Sequence, residues 1–215
     1  MISQIFKIAA LTIILVSNIA HTTEITLTVE QQRILLLAFK EGKRFGFERT
    51  MQSLAFTETA AGRYNIGDTD QKMGERAYGV GQIKLSTARE VLAKHRRFRT
   101  HPKYGVLKYN EQLITALMSD EEFNIGVAAY HLHDLYKKFK EDGEPDKRAL
   151  DLAIKAYNCG MMRICDNDKY LEKVRLLRNT LVKKFNRLVA AGEINPDNLA
   201  ELTLVYEDGK SPAKH

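Results

Sequence analysis

Glu58 stands where a helix should carry an apolar residue. Counted from Phe47, the positions 47, 51, 54 and 58 are separated by steps that keep them on one helical face. Phe47, Met51 and Leu54 are apolar, and Glu58 is a carboxylate. It also falls in the last turn of that helix, at the negative end of the helix dipole. Partial burial and the dipole both disfavour the ionised form, so its pKa is expected to be raised. A carboxylic acid still protonated near neutral pH can protonate the leaving oxygen of a glycoside. The helix pattern alone also fits a glutamate turned into solvent, or one paired with a lysine or arginine.

The turn "AYGVGQIKLSTA", Ala77 to Ala88, adds a second kind of chemistry. Gly79 and Gly81 permit close backbone approach to a ligand and special φ values. Gln82 offers donor and acceptor groups on one amide. Sugars carry amides and hydroxyls, so a groove wall of this type suits them. Gly-x-Gly without a preceding strand is a poor dinucleotide loop.

The segments that must position these residues read as helix after helix, with few stretches of strand-like alternation. An all-α domain is expected. "TVEQQRILLLAFKEG" opens on a capping-box pattern, Thr28 with Gln31, and Gly42 and Gly46 mark its end. The next helix spans Phe47 to Ala60. Gly62 to Gly81 is a glycine-rich connection too long for a simple turn. Thr87 with Glu90 begins a short helix through Ala93. The basic run "KHRRFRTHPK", Lys94 to Lys103, reads as a solvated helix end and loop. Asn110 to Met118 is helical. Ser119 with Glu122 forms another capping-box pattern, opening a helix with Phe123, Val127 and Tyr130 on its stripe, ended by Gly143 and Pro145. Tyr130 is expected in the core. Asp146 to Asn158 carries Leu150, Ile154 and Tyr157 on one face. Lys169 to Ala191 is long and amphipathic through Tyr170, Val174, Leu177, Leu181, Phe185 and Leu188, and Gly192 stops it.

The chain has 215 residues and 44% apolar residues, room and material for one domain, expected over 24–192, with a tail at 193–215. Residues 1–20 read as a signal peptide or an N-terminal anchor: Lys7 is their only charge, and Ile8 to Val16 is an apolar run too short to span a bilayer comfortably. The remainder is expected to be exported, to the periplasm or cell envelope. The net charge is +6, and a basic exported protein suits an anionic polymer or membrane surface. Cys159 and Cys165 close a small disulfide loop in an oxidising compartment, or remain two free thiols. No cluster of His or acidic residues completes a metal site around them, and no cofactor is expected. One aromatic within "KHRRFR" makes no stacking platform, so a nucleic-acid partner is not expected.

Four blocks in order resemble the soluble lytic transglycosylase (SLT) family of lysozyme-like domains. "TET" followed by "AYGVGQIKLSTA" is similar to that family's Glu-Ser, variable loop, Gly-Ala-x-Gly-Leu-Met-Gln-Ile and Pro-x-Thr-Ala, with Glu58, Ala77, Gly79, Gln82, Ile83, Thr87 and Ala88 on the pattern. "NIGVAAYHL", Asn124 to Leu132, resembles its Asn-Ile helix, and "AIKAYNCG", Ala153 to Gly160, its Ala-Tyr-Asn-Ala-Gly motif. "KYLEKVRLL" stands where the family has Tyr-Val-x-x-Val. Thr59 replaces the family's serine, Gly81 a methionine, Leu85 a proline and Cys159 an alanine. The interval from Glu58 to Gln82 is longer than the family's.

The resemblance implies a goose-type or SLT helical domain with a long active-site loop, probing peptidoglycan glycan strands as a monomer. It implies that Glu58 protonates the bond between N-acetylmuramic acid and N-acetylglucosamine. Glu58 would then deprotonate the muramoyl C6 hydroxyl, which closes a 1,6-anhydro ring without consuming water. By the same resemblance Gln82, Gly81 and Thr59 contact substrate, and Tyr157 stands beside the acid, where its phenol orients the carboxyl group or binds the substrate. Asn158 reads as structural, capping a helix end or bracing the loop. A goose-type lysozyme-like hydrolase is the alternative, with Asp68 or Asp70 in the long loop as a second carboxylate that holds water. An inactive peptidoglycan-binding component of a secretion or conjugation apparatus is a further one.

Overall fold

The computed structural model describes residues 25–160 and 167–193. Eight α-helices, one 3-10 turn (Met73–Glu75) and three two-residue strands make up the ordered elements among these residues, so the fold is mostly helical as expected. Helix α1 (Val29–Lys43) opens on the expected box: the Thr28 hydroxyl accepts from the Gln31 amide while the Gln31 side chain accepts from Thr28 N–H. Helix α2 (Glu48–Thr59) follows and packs along α1. Gly42 lies at their crossing, where a Cβ would come within 2.8 Å of the Glu48 backbone.

The long connection after α2 contains structure that sequence patterning misses. Strands β1 (Ile66–Gly67), β2 (Ala77–Tyr78) and β3 (Ile83–Lys84) form an antiparallel sheet in that order, Ile66 facing Tyr78 and Tyr78 facing Ile83. A short strand therefore does precede Gly79, but it turns back as a hairpin rather than feeding a phosphate-binding helix. Two-residue strands are too short to show alternation.

Helix α3 (Leu85–Lys94) starts two residues before the expected Thr87. Helix α4 (Arg96–Arg99) is a single turn that buries Phe98. Helix α5 spans Asn110–Ser119 and helix α6 spans Glu121–Glu141. The residue capping α6 is Asp120, whose side chain accepts from Phe123 N–H at 3.0 Å, and not the expected Ser119, which closes α5. Helices α7 (Asp146–Cys159) and α8 (Asp168–Ala190) are the last two among the described residues. Helix α6 packs on α7, and α8 packs on α2, with Leu171, Val174, Leu181, Phe185 and Leu188 buried. Tyr130 sits in an aromatic cluster, 4.9 Å from the Phe45 ring and 5.2 Å from Phe98, the core position expected for it.

The basic run is only partly a solvated surface. Arg97 forms a forked pair with Glu41, which is completely buried on α1 and also meets Arg44 at 2.9 Å. Burial opposes the charge on Glu41, but the two guanidinium groups outweigh it and hold its pKa below the ordinary value. No helix among the described residues is long and apolar enough to cross a membrane. The proposed leader at 1–20 and the tail from 194 onward lie outside the described residues.

Candidate active site

Phe47, Met51 and Leu54 are all buried, as the helical stripe requires, and the stripe ends at Glu58 in the last turn of α2. The carboxylate is half-buried rather than swung into solvent. Its Oε1 accepts a hydrogen bond from the phenol of Tyr170 on α8. Desolvation raises its pKa, and the negative charge of Asp68 adds to that rise. The Tyr170 hydrogen bond and the Lys173 ammonium act in the opposite sense without cancelling it. Lys173 also donates to the Thr57 carbonyl at 3.4 Å, at the carbonyl end of α2.

The backbone after Glu58 is forced into an unusual course. Ala60 and Ala61 both have left-handed φ, 51° and 55°. Such a conformation costs an L-residue about 1–2 kcal/mol, and strain of this kind clusters at functional sites. One local and one long-range hydrogen bond hold the strained turn: Gly62 N–H donates to the Thr59 hydroxyl at 2.9 Å, and Gln31 Nε2 on α1 to the Ala60 carbonyl at 2.9 Å. Asp68 (50°) and Gln82 (49°) are the remaining non-glycine residues with left-handed φ among the described residues. All four fall between Glu58 and the end of the glycine turn.

That turn is pinned from beneath by one fully buried side chain. Asn124 Nδ2 donates to the Tyr78 carbonyl at 2.8 Å and the Leu117 carbonyl at 3.1 Å, and its Oδ1 accepts from Gly81 N–H at 2.7 Å. Gly79, at φ +70°, leaves no space: a Cβ would stand 2.2 Å from Asn124 Nδ2. At Gly81 a Cβ would meet that of Ala128 at 2.8 Å.

A groove of about 1100 Å³ opens over these elements. Its lining includes Glu58, Asp68, Gln82, Lys84, His131, Tyr157 and Asn158. The expected site residues divide within it. Gln82 lines the groove while its Nε2 donates to the Gly79 carbonyl at 2.9 Å, so it shapes the turn as well as facing the ligand space. Gly81 is buried below the wall, with its N–H taken by Asn124 and its carbonyl by the Tyr157 phenol at 2.7 Å. Thr59 is not a contact residue either. It is buried, and its hydroxyl serves the backbone of Ala55, Gly62 and Val80. Asp68 faces the groove and pairs with Lys84 at 3.4 Å. Asp70 is exposed and bonds to Gln71 at 3.3 Å outside the groove.

Tyr157 also lines the groove, and burial, with the charge of Glu58 adding to it, raises the pKa of the phenol well above its ordinary value. The tyrosine that bonds to the acid is Tyr170, while Tyr157 anchors the glycine turn. Asn158 accepts from Asn167 Nδ2 at 2.7 Å and so braces the two ends of the segment between α7 and α8. Cys159 is disulfide-bonded, and Cys165 lies outside the described residues. Sequence reasoning placed Tyr170 and Asn124 on helices but gave neither a part in the site. The period of α8 marks Tyr170 only as one apolar position among six. The Asn124 signal is stronger, because an asparagine on the buried face of a helix must find polar partners.

No group of three or more His, Cys, Asp or Glu residues able to hold a metal occurs among the described residues. No family profile, curated protein or solved structure matches this chain.

Proposed function

We propose that this protein is an exported lytic transglycosylase with an SLT-type, lysozyme-like domain. It would cut the β1,4 bond from N-acetylmuramic acid to N-acetylglucosamine in peptidoglycan. The observation that carries this reading is Glu58: a carboxyl group with raised pKa, oriented by Tyr170, at the edge of a polar groove. A groove of this volume exceeds most small-molecule sites and suits several units of a linear polymer.

The protonated Glu58 carboxyl gives its proton to the glycosidic oxygen as the C1–O bond breaks. The leaving N-acetylglucosamine departs with a free 4-hydroxyl. Glu58, now a carboxylate, takes the proton of the muramoyl C6 hydroxyl, and that oxygen bonds to C1. The enzyme returns to its starting protonation state, and water is not consumed. A single carboxyl group suffices because the substrate supplies the nucleophile, unlike the usual two-carboxylate scheme.

Asp68 favours a second reading, goose-type hydrolysis, since it shares the groove with Glu58 and could hold a water. Digestion of purified peptidoglycan, with the new sugar ends identified by mass, separates the two. Anhydromuramoyl ends support the transglycosylase and reducing ends the hydrolase. Glu58→Gln is expected to lower the rate about 10²- to 10⁴-fold. Undiminished digestion by that variant, or none by the wild type, would sink both readings.

A further inference from the structure

His131 is a groove residue that the reaction above leaves without a task. It lies on α6 and lines the groove, and its ring packs 5.4 Å from that of Tyr157, tilted by 48°. Burial pushes its pKa down to about 4, against the opposing pull of Asp134. The imidazole is therefore neutral at neutral pH, with one nitrogen as donor and the other as acceptor.

Its obvious intramolecular partner is occupied. Asp134, one turn further along α6, meets His95 Nε2 at 2.8 Å through one oxygen and Lys94 Nζ at 3.0 Å through the other. Neither ring nitrogen of His131 has a hydrogen-bond partner among the described residues. They are not sealed in, either: the buried side-chain polar atoms left without partners among those residues are Thr57 Oγ1 and His133 Nδ1. The large majority of buried side-chain polar atoms in folded proteins are paired, and the nitrogens of His131 are neither buried without access nor paired. The polar edge of His131 instead opens on the groove.

We propose that His131 is a saccharide-binding residue, whose two ring nitrogens hydrogen-bond an N-acetylated sugar in the part of the groove bounded by Tyr157. A neutral imidazole, offering one donor and one acceptor, matches a hydroxyl or an acetamido group. It gives no charge-based preference for a phosphate or a carboxylate. This inference rests on the glycan reading of the groove.

The test compares kcat and KM on soluble glycan strands prepared from peptidoglycan for wild type, His131→Phe, His131→Leu, His131→Asn and His131→Gln. The two apolar variants keep bulk beside Tyr157 and lose both hydrogen bonds. The two amides each retain a donor and an acceptor. Thermal melting identifies which variants fold, and the leucine variant stands in if the phenylalanine variant does not. The expected result is a KM about five- to tenfold higher for the apolar variants, with kcat changed less than about threefold. At least one amide variant should return KM to within about twofold of wild type. An unchanged KM in the apolar variants, or equal KM values in all four variants, overturns the assignment while leaving the lytic reading intact. No cleavage of the strands by the wild-type protein overturns both.

Discussion

The phenol of Tyr170 on α8 donates its hydrogen bond to Glu58 on α2, joining residues 112 positions apart at the edge of the groove. The packing of α8 along α2 makes this contact, so α8 is part of the candidate site rather than a support beneath it. The bond favours the ionised carboxylate and so works against the desolvation that raises the pKa of Glu58.

Tyr170→Phe removes the donor and keeps the ring. The pKa of Glu58 is then expected to rise further. Since the reaction begins from the protonated acid, the alkaline limb of kcat/KM should move to higher pH. The maximal rate should fall as well, because the carboxyl loses its orienting partner. A pH–rate profile of the variant checks both, and an alkaline limb that moves down or stays in place would remove Tyr170 from the site.

Glu58 is also expected to limit stability at neutral pH. Its folded-state pKa is raised above the unfolded value. The folded state therefore binds more protons in the interval between the two. The stabilising contribution is full below the unfolded pKa and is lost as pH rises through the folded one. Glu58→Gln has no such loss. It should melt about 2 °C or more above the wild type at pH 7, and the gap should close below pH 4. Melting curves at the two pH values check this; a gap that widens in acid contradicts it.

Asn124→Ala is expected to damage both fold and site. Its amide satisfies two carbonyls and one N–H in a fully buried position. Leaving such groups unpaired costs about 1–3 kcal/mol each, softened where a water enters. A loss of about 3 kcal/mol or more in urea unfolding is expected. The glycine turn that carries Gln82 should loosen with it, so activity should fall even where the variant remains folded. A loss below about 1 kcal/mol would mean that the turn holds itself.

The same residue marks how far the sequence could be read. The helices were legible because their apolar positions repeat with the helical period and because caps such as Thr28 with Gln31 are local. Glu58 was legible because it interrupts such a repeat. The sheet around Gly67, Ala77 and Lys84 was not: its strands are too short for alternation, and long-range hydrogen bonds hold its hairpin turn. Arg97 looked like one member of a solvated basic run, and only the fold reveals that it answers the buried charge of Glu41. Thr59 and Gly81 were placed beside the substrate by their neighbours in the chain. In each, the polar groups are already taken by protein atoms.

Asp68→Asn tests what the long loop contributes. Asp68 lines the groove with Glu58, pairs with Lys84, and its negative charge helps to raise the pKa of Glu58. The neutral amide keeps the shape and removes the charge. The pKa of Glu58 should therefore fall, and the alkaline limb of activity should move to lower pH. If the substrate supplies its own nucleophile, the variant keeps anhydromuramoyl products and loses less than about tenfold in rate, since no water has to be held. If Asp68 is the residue that activates a water, the loss reaches about 10²-fold or more and the wild-type products carry reducing ends. One pH–rate profile and one product mass spectrum on this variant and its parent thus decide whether the charge at position 68 tunes the acid or takes part in the chemistry.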